Sequence, residues 1–155
     1  MLIYKDEVLN EPGNVDFGSE DISGIGDGTV TGAISKLNSK MNFVKNNSLI
    51  SFSDKDPKLR NTSDTMLVKH NDQFVNICIA VQFNEEVSTP GIDYILGNVS
   101  DPKKRPKLVH TSLSFTNTCI VSLRVETNGN IVARVLNGTF PIGYAAWFDI
   151  LYLCV

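Results

Sequence analysis

The ten residues from Phe74 to Phe83, FVNICIAVQF, constrain the fold of this chain more than any other stretch. Val75, Ile77, Ile79, Val81 and Phe83 fall on one side of an extended backbone, and Asn76, Cys78, Ala80 and Gln82 on the other. A period of two, with β-branched residues on the apolar side, belongs to a strand with one face in a core. CIVSLRVE repeats the pattern, placing Cys119, Val121, Leu123 and Val125 on one face. TNGN follows, and Asn128-Gly129 predicts a two-residue type I′ hairpin with its return strand over 131–136. Further strands are expected over 49–53, 64–69, 92–96, 108–115 and 144–155, with longer loops over 54–62 and 84–91. The last strand, YAAWFDILYLCV, is apolar almost throughout. That predicts cover on both faces, from two layers or from one layer and another subunit. Many short, turn-punctuated strands make the chain mainly β: an antiparallel β-sandwich, jelly-roll-like in type.

Ahead of the strands the period changes. Thr29 is a plausible N-cap after the breaker Asp27-Gly28. Val30, Ile34, Leu37, Met41 and Val44 are then spaced by four, three, four and three. Two apolar positions in seven make a coiled-coil seam rather than a broad core-facing stripe. Two heptads form a marginal helix in isolation, so the seam must lean on something. Partner helices about a symmetry axis are one support; the chain's own β domain, capped by an amphipathic helix, is the other. Residues 1–28 hold five of the eleven glycines and many Asp, Glu, Asn and Ser, the composition of an arm or linker. The expected organisation is an arm over 1–28, a short trimerising helix over 29–45 and a β-sandwich head over 46–155.

A net charge of −3 argues against nucleic acid, whose phosphates need a basic face. The basic run Lys103-Lys104-Arg105, flanked by Pro102 and Pro106, reads first as a solvated loop. No apolar run approaches the ~18 residues of a membrane span, and MLIYKDEVLNEPG lacks the basic start and apolar stretch of a secretory signal. Cys78, Cys119 and Cys154 lie in strand-like runs. Their odd number and wide spacing fit buried free thiols better than a disulfide framework or a zinc site. Asn-x-Ser/Thr matches at Asn46, Asn61, Asn98 and Asn137 would matter only in a secreted eukaryotic protein.

No catalytic motif stands out. His70 and His110 have no triad context, and Ser112 and Ser114 share a strand face with His110 without forming one. Carboxylates are present, but no spacing marks a pair across a cleft. Asp149 stands alone in an apolar strand, where it either pairs with a basic group at a subunit boundary or faces water. GIGDGTVTG lacks both the preceding buried strand and the Gly-Lys-Ser/Thr of a phosphate loop, and DPKLRNTSD lacks calcium-loop spacing. No catalytic residue, cofactor or metal is expected. Trp147, in the most apolar strand, is expected to serve core or intersubunit packing together with Phe148 rather than to form a sugar platform.

ISGIGDGTVTGAISKLNSKM resembles a linker of tail-fibre and baseplate proteins from tailed bacteriophages and prophages of Gram-positive bacteria, in which an Ile-Gly-Asp/Asn-Gly-Thr-Val-Thr-x-Ala-Ile segment precedes a short helix. The later part is similar to the head domains of receptor-binding proteins in those phages: DPKKRP before a strand, a hairpin on Asn128-Gly129, and YAAWFDILY at the end. The resemblance runs from about Ile22 to the end. It implies a homotrimer with a three-helix stem and a head that recognises host cell-wall or surface saccharide, carried on a virion assembled in the bacterial cytoplasm, with other baseplate or tail proteins as partners. It supplies no catalytic residues. On that reading Val30, Ile34, Leu37, Met41 and Val44 form the stem seam, and Trp147 and Phe148 help cover a neighbouring head. Two polar loops, His70-Asn71-Asp72 and Lys103-Lys104-Arg105, become the first candidates for ligand contact. The alternatives are a structural connector docking other virion proteins and, further off, a polysaccharide depolymerase.

Overall fold

A computed structural model describes residues 29–60 and 63–154. By its internal contacts the chain divides into two units, Met1–Asn38 and Ser39–Val155. The expected arm over 1–28 lies outside the described residues.

Helix α1 spans Val30–Met41. Thr29 caps it as expected: its Oγ1 accepts from the Gly32 N–H at 2.9 Å, and its carbonyl accepts from the Ala33 N–H at 2.8 Å. Three seam residues are strongly exposed, Ile34 at 61%, Leu37 at 54% and Met41 at 75%. The helix stops short of the fifth. Val44 instead starts a two-residue strand, β1 (Val44–Lys45), paired antiparallel with its Cα opposite His70. A heptad count reads spacing alone, and a β-branched residue three places past the end of the helix satisfies the spacing without being helical.

The β unit is a sandwich of two antiparallel sheets, as the alternation predicts. One sheet has the order β1-β3-β4-β9, with β3 Leu67–His70, β4 Phe74–Val81 and β9 Ala146–Leu153. The other has the order β2-β5-β8-β7-β6, with β2 Ile50–Ser51, β5 Asp93–Val99, β6 His110–Phe115, β7 Cys119–Val125 and β8 Asn130–Gly138. Val75, Ile77, Ile79, Val81 and Phe83 are all fully buried between the sheets, each stabilising the fold by roughly 1.5–3 kcal/mol over exposure. Opposite them lie Val121, Leu123 and Val125 of β7 and Ile131, Ala133 and Val135 of β8. At one end the Phe83 ring meets Tyr94 and Phe140 edge-on, with centroids 5.1 Å apart in both pairs.

The β7–β8 hairpin differs from the type I′ expectation. Glu126 accepts from the Gly129 N–H and donates to the Asn130 carbonyl, both at 2.8 Å. Gly129 has φ +94°, while no described residue other than glycine has positive φ. Type I′ needs positive φ at both centres. A four-residue turn with the left-handed residue at Gly129 keeps Asn128 in ordinary space and lets its Oδ1 accept from the Asn130 N–H at 2.8 Å.

Strand β9 has one face in the core and the other on the surface of the single chain. Ala146, Phe148, Ile150 and Tyr152 are buried, but Trp147, Asp149, Leu151 and Leu153 are exposed. An unbroken apolar run hides this alternation, because both faces use apolar residues while only one faces the core. Among the described residues Asp149 has no ion pair; its Oδ1 accepts from the Asn76 amide on the neighbouring strand. Cys119 and Cys154 are buried free thiols and Cys78 a half-buried one.

Candidate functional site

The two polar loops singled out from sequence meet at one end of the sandwich. The first is the β3–β4 turn. Asn71 is buried, and its Oδ1 accepts from the backbone N–H groups of Gln73 at 2.9 Å and Phe74 at 2.8 Å, which shapes the turn. The second is a single 3₁₀ turn, Pro102–Lys104, capped by Asp101, whose Oδ1 accepts from the Lys103 N–H at 2.9 Å. Lys104 joins them: its Nζ donates to the Asn71 carbonyl at 2.8 Å and lies 3.9 Å from the Asp72 carboxylate. Tyr152 holds the second loop from beneath, donating to the Lys104 carbonyl at 3.0 Å, with its ring 5.8 Å from that of His110. Burial pushes the Tyr152 phenol well above its ordinary range, so it stays a donor.

These contacts divide the six candidates. Asn71 and Lys104 are consumed in holding the loops together. Arg105 is consumed elsewhere: its Nε donates to the Val99 carbonyl at 3.0 Å and its Nη2 to Asn98 Oδ1 at 3.4 Å. His70 ends β3, where its Nδ1 is buried without a hydrogen-bond partner among the described residues. Asp72 and Lys103 are the members left facing solvent. Of the two β9 residues assigned to an intersubunit face, Trp147 is 64% exposed, whereas Phe148 points into the core. A residue filling the sandwich cannot also cover a neighbour, so of the two only Trp147 presents its ring to solvent.

The outer face of the β1-β3-β4-β9 sheet holds residues that the sequence reading did not select. Register places Leu151 opposite Asn76, Asn76 opposite Lys69, and Lys69 opposite Lys45, one rung across all four strands. Cross-strand partners project from the same face. Phe43, Lys69, Asn76 and Leu151 line a shallow groove of about 260 Å³ on that face. Beside it the Cys78 thiol donates to Asn76 Oδ1 at 3.3 Å, and Asn76 donates in turn to Asp149. Burial, then the neighbouring Asp149 charge, raises the Cys78 thiol above its ordinary value, so it remains protonated. The only sequence signal for this face was the apolar residue at alternate positions of β9 that the core does not use.

The outer face of the other sheet carries a closed ion network. Arg124 grips Asp93 with both terminal nitrogens and reaches Glu126 through Nε at 2.9 Å, and Arg134 donates to the same Asp93. Hydrogen bonds from Arg134 and then Arg124 hold the Asp93 carboxyl well below the usual carboxylate range. Val132 lies opposite Arg124 on the strand between and is 3% exposed although the strand's alternation turns it outward. These charges are matched to one another.

No group of three His, Cys, Asp or Glu able to hold a metal ion occurs among the described residues, and no described helix is long and apolar enough to cross a membrane. No protein-family model matches the chain, and no curated protein matches it significantly. What the fold defines is a class: a mainly β protein of two packed antiparallel sheets, with one short helix before them.

Proposed function

We propose that this chain is a non-enzymatic adhesion module, the receptor-binding tip or tail-fibre component of a tailed phage, acting as a homotrimer that recognises host surface carbohydrate. The observation that carries this reading is α1. Ile34, Leu37 and Met41 are spaced by three and four and are each more than half exposed, on a helix of only twelve residues. A helix this short gains its stability from burying such a face, and three copies about an axis would bury it. The head is then a jelly-roll-like sandwich whose exposed Trp147 lies toward a neighbour.

Trimerisation serves adhesion directly. A single saccharide contact is weak, and three linked heads on a particle with many fibres multiply apparent affinity without any new contact. A second reading, a connector docking other virion proteins, draws support from the apolar outer side chains of β9, a composition that also suits protein partners. Light scattering combined with a glycan array tests the pair. The adhesion reading expects a three-chain mass and glycan binding. A three-chain mass with no glycan bound and a virion protein captured instead would give the connector.

A further inference from the structure

We propose that Asn137-Gly138 is a site of spontaneous covalent modification, at which the Asn137 side-chain amide closes on the Gly138 backbone nitrogen and passes through a succinimide to aspartate and isoaspartate. The chain holds two Asn-Gly dipeptides, Asn128-Gly129 and Asn137-Gly138, one at each end of β8. Both offer the same chemistry in an unfolded chain, since glycine carries no side chain to screen its nitrogen. The fold treats them oppositely.

At the first dipeptide the reacting groups are held apart. Gly129 is buried, and its N–H donates to the Glu126 carbonyl at 2.8 Å. The Gly129 carbonyl accepts from the Val99 N–H at 2.9 Å, which fixes the peptide from its other side. Asn128 Oδ1 accepts from the Asn130 N–H at 2.8 Å, two residues on, so the amide is turned away from Gly129. Ring closure there requires both the Gly129 N–H and the Asn128 side chain to leave their partners.

At the second dipeptide the reacting groups already meet. The Gly138 N–H donates to Oδ1 of Asn137, the side chain directly before it, at 2.8 Å. Oδ1 is one C=O bond from Cγ, about 1.2 Å, so the nitrogen stands within about 4 Å of that carbon. Intramolecular attack proceeds from separations of about 3–3.5 Å, a small adjustment away. Asn137 is exposed, so water and hydroxide reach it. The Gly138 nitrogen gives its proton to solvent base and forms a bond to Cγ. The Cγ–Nδ2 bond breaks, and Nδ2 takes a proton from solvent and leaves as ammonia. Water then opens the five-membered ring. Cleavage at Cγ gives aspartate; cleavage at the main-chain carbonyl carbon gives isoaspartate. No electrons are exchanged with any outside reagent.

The isoaspartate form inserts one extra carbon into the main chain directly before Gly138. That glycine has φ +78°, and the Thr118 carbonyl oxygen lies 2.1 Å from where a Cβ would stand, so the added length has no room in the present packing. The Thr139 N–H bond to the same oxygen, at 3.2 Å, is the first contact to be lost.

The test is incubation of the 155-residue chain in warm, mildly alkaline buffer, folded and in urea, with peptide mapping of both dipeptides. In the folded chain Asn137 should convert about tenfold faster than Asn128 or more, and in urea the two should convert at comparable rates. Isoelectric focusing of aged protein should show an acidic species that Asn137→Gln removes, because glutamine would need a six-membered ring, and that Asn128→Gln leaves. A folded-state preference no greater than that in urea would overturn the proposal, as would an acidic species that persists in Asn137→Gln. Aged protein should melt below fresh protein, with Asn137→Gln preventing the loss; an aged wild type that melts with the fresh would overturn the consequence drawn for isoaspartate.

Discussion

The phenol of Tyr152 donates to the carbonyl oxygen of Lys104 at 3.0 Å, while the amine of Lys104 donates to the carbonyl of Asn71 at 2.8 Å. One strand end, one 3₁₀ turn and one hairpin turn are thereby fastened in series. Tyr152→Phe removes a buried donor and leaves the Lys104 carbonyl unpartnered. It should cost about 1 kcal/mol in chemical denaturation with the fold retained. Unchanged stability would mean that water replaces the phenol and that the loops are held by Lys104 alone.

The Asp93 network predicts an acid limb. Its carboxyl titrates lower in the folded chain than in the unfolded one, so the unfolded state takes up a proton first as pH falls. The stabilisation is complete above about pH 4, the ordinary carboxylate range, and declines as pH drops through the depressed folded value. With the Asp93 side chain about a third exposed, solvent screening limits its worth to about 1 kcal/mol. Asp93→Asn should lower stability by that amount at pH 7 and flatten its fall below pH 4. Parallel pH profiles for wild type and variant would contradict the assignment.

Gly138 closes β8 with φ +78°, and a Cβ built there would lie 2.1 Å from the Thr118 carbonyl oxygen. That oxygen belongs to backbone and cannot swing away. Gly138→Ala should therefore destabilise the sandwich by about 2 kcal/mol or more, strain and clash together, measured by thermal melting. A melting temperature equal to wild type would show that the β7–β8 end opens without cost.

Neighbours Trp147 and Phe148 should behave as opposites. Phe148→Ala opens a cavity between the sheets and should cost about 3–5 kcal/mol. Trp147→Ala removes an exposed ring and should leave the unfolding of a single chain within about 0.5 kcal/mol of wild type, while weakening self-association in sedimentation. Equal destabilisation by the two would place Trp147 in a core that the single chain does not show.

The sandwich was legible because its strands alternate. Val75 through Phe83, and Cys119 through Val125, announce both their period and their buried side, and the helix start was legible from Thr29 after a glycine. What failed to show came from properties that spacing does not carry. Val44 kept the heptad interval yet pairs with His70 in a sheet. Asn128-Gly129 promised a two-residue turn, but with four residues between the ladders only Gly129 needed positive φ. The loops carrying His70–Asp72 and Lys103–Arg105 were chosen for polarity; their meeting depends on β3, β4 and β9 being neighbours, a fact of topology. The Lys45, Lys69, Asn76 and Leu151 rung escaped notice for the same reason, since its members span more than a hundred positions and come together only through register.

The account stands on the seam of α1 meeting copies of itself. Light scattering on the 155-residue chain, wild type beside an Ile34→Asp, Leu37→Asp double variant, tests that most directly. The prediction is a mass of three chains for the wild type, falling to one chain in the variant while the β signature of the circular dichroism spectrum is kept. A single-chain mass for the wild type at micromolar concentration would contradict it.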